Sequence, residues 1–362
     1  MVDEVGYVDR PADVVKASFS GVNHAQTIDT VMRVTDAVLT QRKLALTAWA
    51  RRPAGDREKQ VPERNWSMPT RRSFMIHAAG TTAAAGLAAV CLGTGTTSAS
   101  PMGQSAGAGL RTFIDGAMVD PAKVVEWERR RLAVAAARMR KDYTGMLVGE
   151  LDSLLARLEV AVDDIPAARA ALARARVLIG PDGLRELLAG ELVASEAAAR
   201  TGIAASGGRW QYSITEVASD RGTAEGFVEW LDRARVNNDR AVWTDACPDH
   251  YIIATLPDGR QEVIEVTGGA MLASQFFIDY TDTARVMVPS DPAFPLAVSG
   301  VASLADGFVI GGVRHQFRNE PGGGFRCQLK VAFPAALPEL YITEHRWHLA
   351  CEFGNWIAAY LR

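Results

Sequence analysis

Two hydrophobic periods divide the chain from residue 121 onward. Between 121 and 201, apolar residues recur every three to four positions, as one face of a helix requires. Asp120-Pro121 supplies a helix opening, an aspartate cap followed by proline in the first turn, and Val124, Val125, Leu132, Ala135 and Met139 follow on one face of a helix over 121–143. A second helix over 146–162 carries Leu147, Leu151, Leu154, Leu155 and Leu158. Asp163, Asp164 and Pro166 repeat the opening for a third, which Gly180-Pro181 stops, and Leu184, Leu187, Leu188 and Leu192 mark a fourth over 182–201. Short connections make sequential helices antiparallel neighbours, so 109–201 is expected to form a small helical bundle. The composition of 202–208 predicts a flexible linker.

From 209 onward the period falls to two. Strands are expected over 209–214, 250–256, 260–266, 271–280, 295–304, 307–317 and 325–333, with one helix over 223–239 after the first of them. Asp258-Gly259 joins two of these strands as a hairpin. In the last strand Phe325, Cys327, Leu329, Val331 and Phe333 alternate with Arg326, Gln328 and Lys330, which predicts one dry and one wet sheet face. The chain ends in a helix over 339–361. Its wide apolar arc holds Trp347, Ala350, Cys351, Phe353, Gly354, Trp356, Ile357 and Leu361. Tyr341, Glu344, His345, His348, Glu352 and Asn355 form a narrower polar arc, expected to face water. The fold class is therefore α+β: a helical bundle, then an antiparallel sheet domain over 209–362 closed by a long helix.

The first hundred residues raise a separate question. Thr70–Ile76 reads "TRRSFMI", and no Asp, Glu, Lys or Arg occurs from Ser73 to Leu110. This segment resembles a twin-arginine (Tat) export signal, with Arg71, Arg72 and Phe74 as the targeting motif. Small residues at Ser98 and Ser100, or at Ala106 and Ala108, offer cleavage sites. The resemblance implies passage through the Tat export machinery, an exported protein, and a start near Met68 that leaves 1–67 as an extension. The alternative is an internal alanine-rich helix over 68–108 in a cytoplasmic protein, with a short helical pattern near Thr27–Ala50 ahead of it. Glycine and threonine dilute the apolar stretch, so no stable membrane span is expected.

Charge and cysteine content narrow the options. The net charge of −3 and the lack of a basic stripe exclude a nucleic-acid binder as the default. Only six of the 39 basic residues are lysine, the arginine and alanine bias of a GC-rich, actinobacterial type of genome. Acids among the arginines of 129–140 predict a solvated helix face there. The four cysteines, Cys91, Cys247, Cys327 and Cys351, have no metal-ligand spacing and are expected as small buried thiols.

The order strand, helix, six strands, long helix resembles the helix-grip arrangement of START-like ligand-binding and polyketide aromatase/cyclase domains. That resemblance covers the last 150 or so residues, rests on element order, and carries over no functional residue. It implies a hydrophobic small molecule held between sheet and helix. His315, which shares a strand face with Val309, Val313 and Phe317, is the candidate ligand-orienting group or general base. Arg346, within the apolar arc, is a second candidate for a ligand carboxylate. The "EHRWH" run from Glu344 to His348 invites a metal reading, but a polar arc facing water argues against it, and no metal or cofactor is expected. "EPGGGF" from Glu320 lies between two strands and reads as a turn. No nucleophile elbow, Walker motif or dinucleotide fingerprint occurs. The expected function is non-catalytic binding of a hydrophobic molecule. The alternatives are a cyclase- or isomerase-like enzyme using the same cavity and a cytoplasmic regulator.

Overall fold

The computed structural model describes residues 109–142, 150–160, 164–268 and 270–362. The Tat-like segment with Arg71, Arg72 and Phe74, the early helical pattern and Cys91 lie outside them.

The described chain opens on a hairpin, β1 (Leu110–Ile114) and β2 (Ala117–Val119). Asp115 and Gly116 form its turn, both left-handed at φ 52° and 75°, as a two-residue hairpin turn requires. Three helical elements follow: α1 (Pro121–Asp142), α2 (Glu150–Val160) and α3 (Ile165–Ser206). Asp164 caps α3 by accepting from the Ala167 amide at 3.0 Å, and Gly180, at φ 73° and ψ 162°, breaks it before Pro181. Next come β3 (Trp210–Ser219), α4 (Ala224–Val236) and the short α5 (Arg240–Thr244). The remaining strands are β4 (His250–Thr255), β5 (Gln261–Glu265), β6 (Ser274–Asp279), β7 (Leu296–Ser303), β8 (Val309–Asn319) and β9 (Phe325–Pro334). The closing helix, α6, spans Glu339–Tyr360.

All nine strands form one antiparallel sheet in the order β2-β1-β3-β9-β8-β7-β6-β5-β4. The α+β class holds, and the turn between β8 and β9 falls at Glu320–Gly324 as expected. Two boundaries need correction. Residues 109–119 are not helical; they form the hairpin that extends the sheet beyond β3. Residues 202–206 are not a linker but the last turns of α3, with Gly207 left-handed at φ 55° as its terminator. At Gly202 α3 runs beside Pro334 and Leu337.

Two apolar interiors flank the sheet. One is built from Leu132, Met139, Leu155, Leu172 and Leu188 of α1–α3 together with Tyr251, Ile252 and Ile264 of β4 and β5. The helices thus share a core with the sheet. The other packs Phe227 of α4 and Phe353, Trp356 and Ile357 of α6 on Phe317, Phe325 and Leu329 of β8 and β9. Phe227 sits within 5.3–6.4 Å of Phe325, Phe317, Phe353 and Tyr360, ring centre to ring centre.

The wet face of β9 is only partly wet. Lys330 is buried there, donating to Pro289 O at 2.7 Å and Gln316 Oε1 at 2.9 Å, because the 286–294 connection folds over it. A lysine with a low-polarity roof must find such partners.

Candidate functional site

The polar arc of α6 does not face water. His345, His348, Glu352 and Asn355 are all buried, because α6 has the sheet on one side and α1 on the other. From α1, Val124 and Trp127 pack against Ala350 and Cys351, and Trp127 Nε1 donates to Glu344 Oε2 at 2.9 Å. A helix covered on two sides has no free arc, which is why the expectation of a solvated face fails.

What meets the arc is the β4–β5 hairpin. His250 at the start of β4 stands opposite Glu265 at the end of β5. His348 and Glu352 are one turn apart on α6. His250 Nε2 lies 3.2 Å from His348 Nε2, 3.3 Å from Glu352 Oε2 and 3.7 Å from Glu265 Oε2. His348 Nε2 lies 3.8 Å from Glu352 Oε2 and 4.0 Å from Glu265 Oε2. The four residues are 0%, 1%, 7% and 7% exposed for His250, His348, Glu265 and Glu352.

Each imidazole is fastened from behind. His250 Nδ1 is 2.9 Å from the Trp243 carbonyl, which can only accept, so the proton sits on Nδ1. His348 Nδ1 faces Asp249 Oδ2 at 3.8 Å and Cys247 Sγ at 3.7 Å. Asp249 is itself clamped by Arg131 of α1 through contacts of 2.6–2.9 Å. Arg176 of α3 donates to the carbonyls of Thr244, Cys247 and Pro248 at 2.8–3.2 Å, fixing the segment that presents Asp249 and His250. Arg131 therefore points inward, against the expectation of a solvated face along 129–140.

Burial and charge set the protonation states. Burial pulls the His348 imidazole down, but the Asp249 interaction and the charges of Glu265 and Glu352 outweigh it and raise its pKa to about 9. Burial pushes the Glu265 carboxyl up, opposed by His348 and His250. His345 is held well below its ordinary value, first by burial and then by the neighbouring imidazoles. Its ring stacks on His348 at 5.2 Å, and its buried Nδ1 has no hydrogen-bond partner.

The residues expected to carry function divide. His315 joins this interior: its ring is edge-on to Phe353 at 4.9 Å, its Nδ1 is unpartnered, and burial lowers its pKa to about 4 against the pull of Glu352. Arg346 does not; it pairs with Asp115 of the β1–β2 turn at 3.0 Å and with Glu339 at 3.9 Å. Cys247, Cys327 and Cys351 are buried and free. His250, Glu265 and Asp249 were missed. The Asp258-Gly259 turn signalled the hairpin, but counting outward from it sets Tyr251 opposite Glu265; a register shift between His250 and Ile252, invisible in the sequence, brings His250 there instead.

Among the described residues, two trios of possible metal ligands share His348: Cys247 and His250 with it, and Glu265 and His345 with it. No helix among the described residues is long and apolar enough to cross a membrane. No protein-family model matches the chain, and no curated protein does. Among solved structures, the crystal structure of protein Ms6760 from Mycobacterium smegmatis is similar at 16% identity, over 41% of this chain and 91% of that one, with a TM-score of 0.26.

Proposed function

We propose that the described residues of 109–362 bind a small cation at the buried polar cluster between α6 and the β4–β5 hairpin. The observation behind this reading is the convergence of His250 and His348 with the carboxylates of Glu265 and Glu352 at 3.2–4.0 Å in the interior. Two carboxylates share this interior with one imidazole, His348, that is raised to about 9, so negative groups outnumber positive ones and a bound cation would redress the balance. The apolar space expected for a hydrophobic ligand is filled by the chain's own rings, Phe227, Phe317, Phe325, Phe353 and Trp356. The order β3, α4, α5, β4 to β9, α6 supports the helix-grip arrangement, with this polar cluster at the β4–β5 end of the grip. The Tat-like segment with Arg71 and Arg72 supports export of the folded, loaded protein.

The test is mass spectrometry of the full chain taken from its own cells, under native and denaturing conditions. An added mass present only in the native spectrum, and lost in Glu352→Gln, is expected. Equal masses in both spectra would overturn the reading. A second reading, acid–base catalysis by His315, is favoured by its unpartnered interior nitrogen. His315→Ala would then abolish turnover while leaving the bound mass in place.

A further inference from the structure

We infer that the ligand is a single divalent transition-metal ion of the zinc class, held by His250 Nε2, His348 Nε2, Glu265 and Glu352. This rests on the cation-binding reading and names its occupant. Three observations carry it.

Each Nε2 atom stands near coordination spacing from the other and from both carboxylates. Four ligands at 2.0–2.2 Å around a tetrahedral zinc ion are about 3.3–3.6 Å apart. The two imidazole nitrogens are 3.2 Å apart and His250 Nε2 is 3.3 Å from Glu352 Oε2. The three longer separations, 3.7, 3.8 and 4.0 Å, all end on carboxylates. A carboxylate swings by a few tenths of an ångström on its own torsions, whereas the rings are pinned.

The pinning has the form that metal-binding histidines require. A ligand imidazole presents one bare nitrogen while the other donates to a carbonyl or carboxylate, which fixes the tautomer and the ring plane. His250 has the Trp243 carbonyl behind it at 2.9 Å, and His348 has the carboxylate of Asp249 behind it at an ion-pair distance of 3.8 Å, that carboxylate anchored by Arg131. Both rings thereby aim Nε2 at one point. At 3.2 Å the two Nε2 atoms hold either a proton or a metal ion between them.

The donor chemistry selects the ion. Nitrogen and oxygen donors in equal number suit zinc and its neighbours; calcium and magnesium take oxygen alone. The two carboxylates neutralise a divalent charge. Cys247 Sγ approaches His348 at Nδ1, 3.7 Å away, and not at the Nε2 atom that faces His250, so it is placed outside the ligand set. His345 supplies a further imidazole beside the ion, its donor atom within 4.8 Å of those of Glu265 and His348. The alternative occupant is a proton shared between His250 and His348.

The test uses the full-length chain, stripped with a chelator, equilibrated with zinc or cobalt(II), desalted and assayed by elemental analysis. One equivalent per chain is expected, with the strong visible absorption of tetrahedral cobalt. His348→Ala and the isosteric Glu352→Gln should each weaken binding at least a hundredfold, and circular dichroism checks that both fold. A folded wild-type chain that retains neither metal, or Glu352→Gln that retains a full equivalent, overturns the assignment. If the native mass spectrum shows an organic cation and no metal, this inference falls while the cation-binding reading stands. An unliganded native mass removes both.

Discussion

His250 and His348 face each other Nε2 to Nε2 at 3.2 Å, one from the first residue of an edge strand and the other from the middle of the last helix. They are 98 residues apart in the chain. Each ring is oriented by a group that belongs to neither element's own hydrogen-bonding pattern: the Trp243 carbonyl at the end of α5, and Asp249 held by Arg131. The helices α1 and α3 are thus part of the site, because their arginines brace the segment that carries it.

Removing Arg131 should show this. Arg131→Met leaves the Asp249 carboxylate buried without its bidentate partner. Stranding one half of a buried ion pair costs about 3–5 kcal/mol. The double variant Arg131→Met, Asp249→Asn should recover part of that loss in urea denaturation. It should still bind zinc about 10–100-fold more weakly than wild type, since His348 loses its orienting carboxylate. Wild-type affinity in the double variant would show that the brace is dispensable.

Gly268 controls how closely the β5–β6 connection approaches α6. A Cβ at this position would lie 2.4 Å from His345 Cα and 2.5 Å from His345 N, both backbone atoms that cannot swing aside. Gly268→Ala should force helix and hairpin apart. We expect about 1–3 kcal/mol of destabilisation, the usual range for overpacking, and weaker metal binding because Glu265 retreats from His348. Thermal melts with and without zinc check both, and an unchanged zinc-induced rise would contradict the claim.

Much of the architecture was legible in local patterns, and the site was not. Periods of 3.6 and 2 and the Asp-Pro and Asp-Gly signals located α1, α2, α3, α4, α6 and every strand from β3 to β9, and missed the short α5. The first hairpin was hidden because its Asp115-Gly116 turn follows an uncharged run read as an export signal. The fate of the polar arc on α6 depends on long-range packing. Nothing in the helix pattern says that Trp127 covers one side while Leu329 and Phe325 cover the other.

His315 should make the metal-free chain acid-sensitive. Its pKa is about 4 in the fold, with burial as the largest cause, against an ordinary value near 6.5. The unfolded chain therefore takes up a proton between pH 6.5 and 4 that the native chain refuses. The resulting stability is fully present above 6.5 and is lost as pH falls through that window. His315→Gln, which keeps polarity without the titration, should flatten the fall in urea midpoint between pH 7 and pH 5. His345, also held low, should account for much of the remainder. An identical slope in wild type and variant would exclude His315 as a source.

Phe227 provides a control remote from the metal ligands. It is fully buried among Phe317, Phe325, Phe353 and Tyr360. Phe227→Ala should cost about 3–5 kcal/mol through lost transfer energy and cavity formation. At a temperature where the variant stays folded, its zinc stoichiometry should equal wild type. Loss of zinc in a folded variant would mean that the site depends on the aromatic core rather than on its own braces.

The pair Glu128 and Arg169 should respond to pH in the opposite sense to His315. Both side chains are buried, and Arg169 Nη2 lies 2.6 Å from Glu128 Oε1. Burial nevertheless raises the Glu128 pKa, with Arg169 the main opposing influence. Taking the arginine away in Arg169→Met removes that opposition and raises the carboxyl further. The native variant then binds a proton that the unfolded chain releases at neutral pH, so its stability declines as pH rises above the ordinary carboxyl range. The deficit of Arg169→Met relative to wild type should therefore be largest at pH 7 and shrink toward pH 5. Glu128→Gln, which keeps the shape without the charge, should show no such narrowing. Urea midpoints for the three proteins at the two pH values decide the matter. A deficit that stays constant in Arg169→Met would mean the carboxyl remains ionised and is compensated by another group.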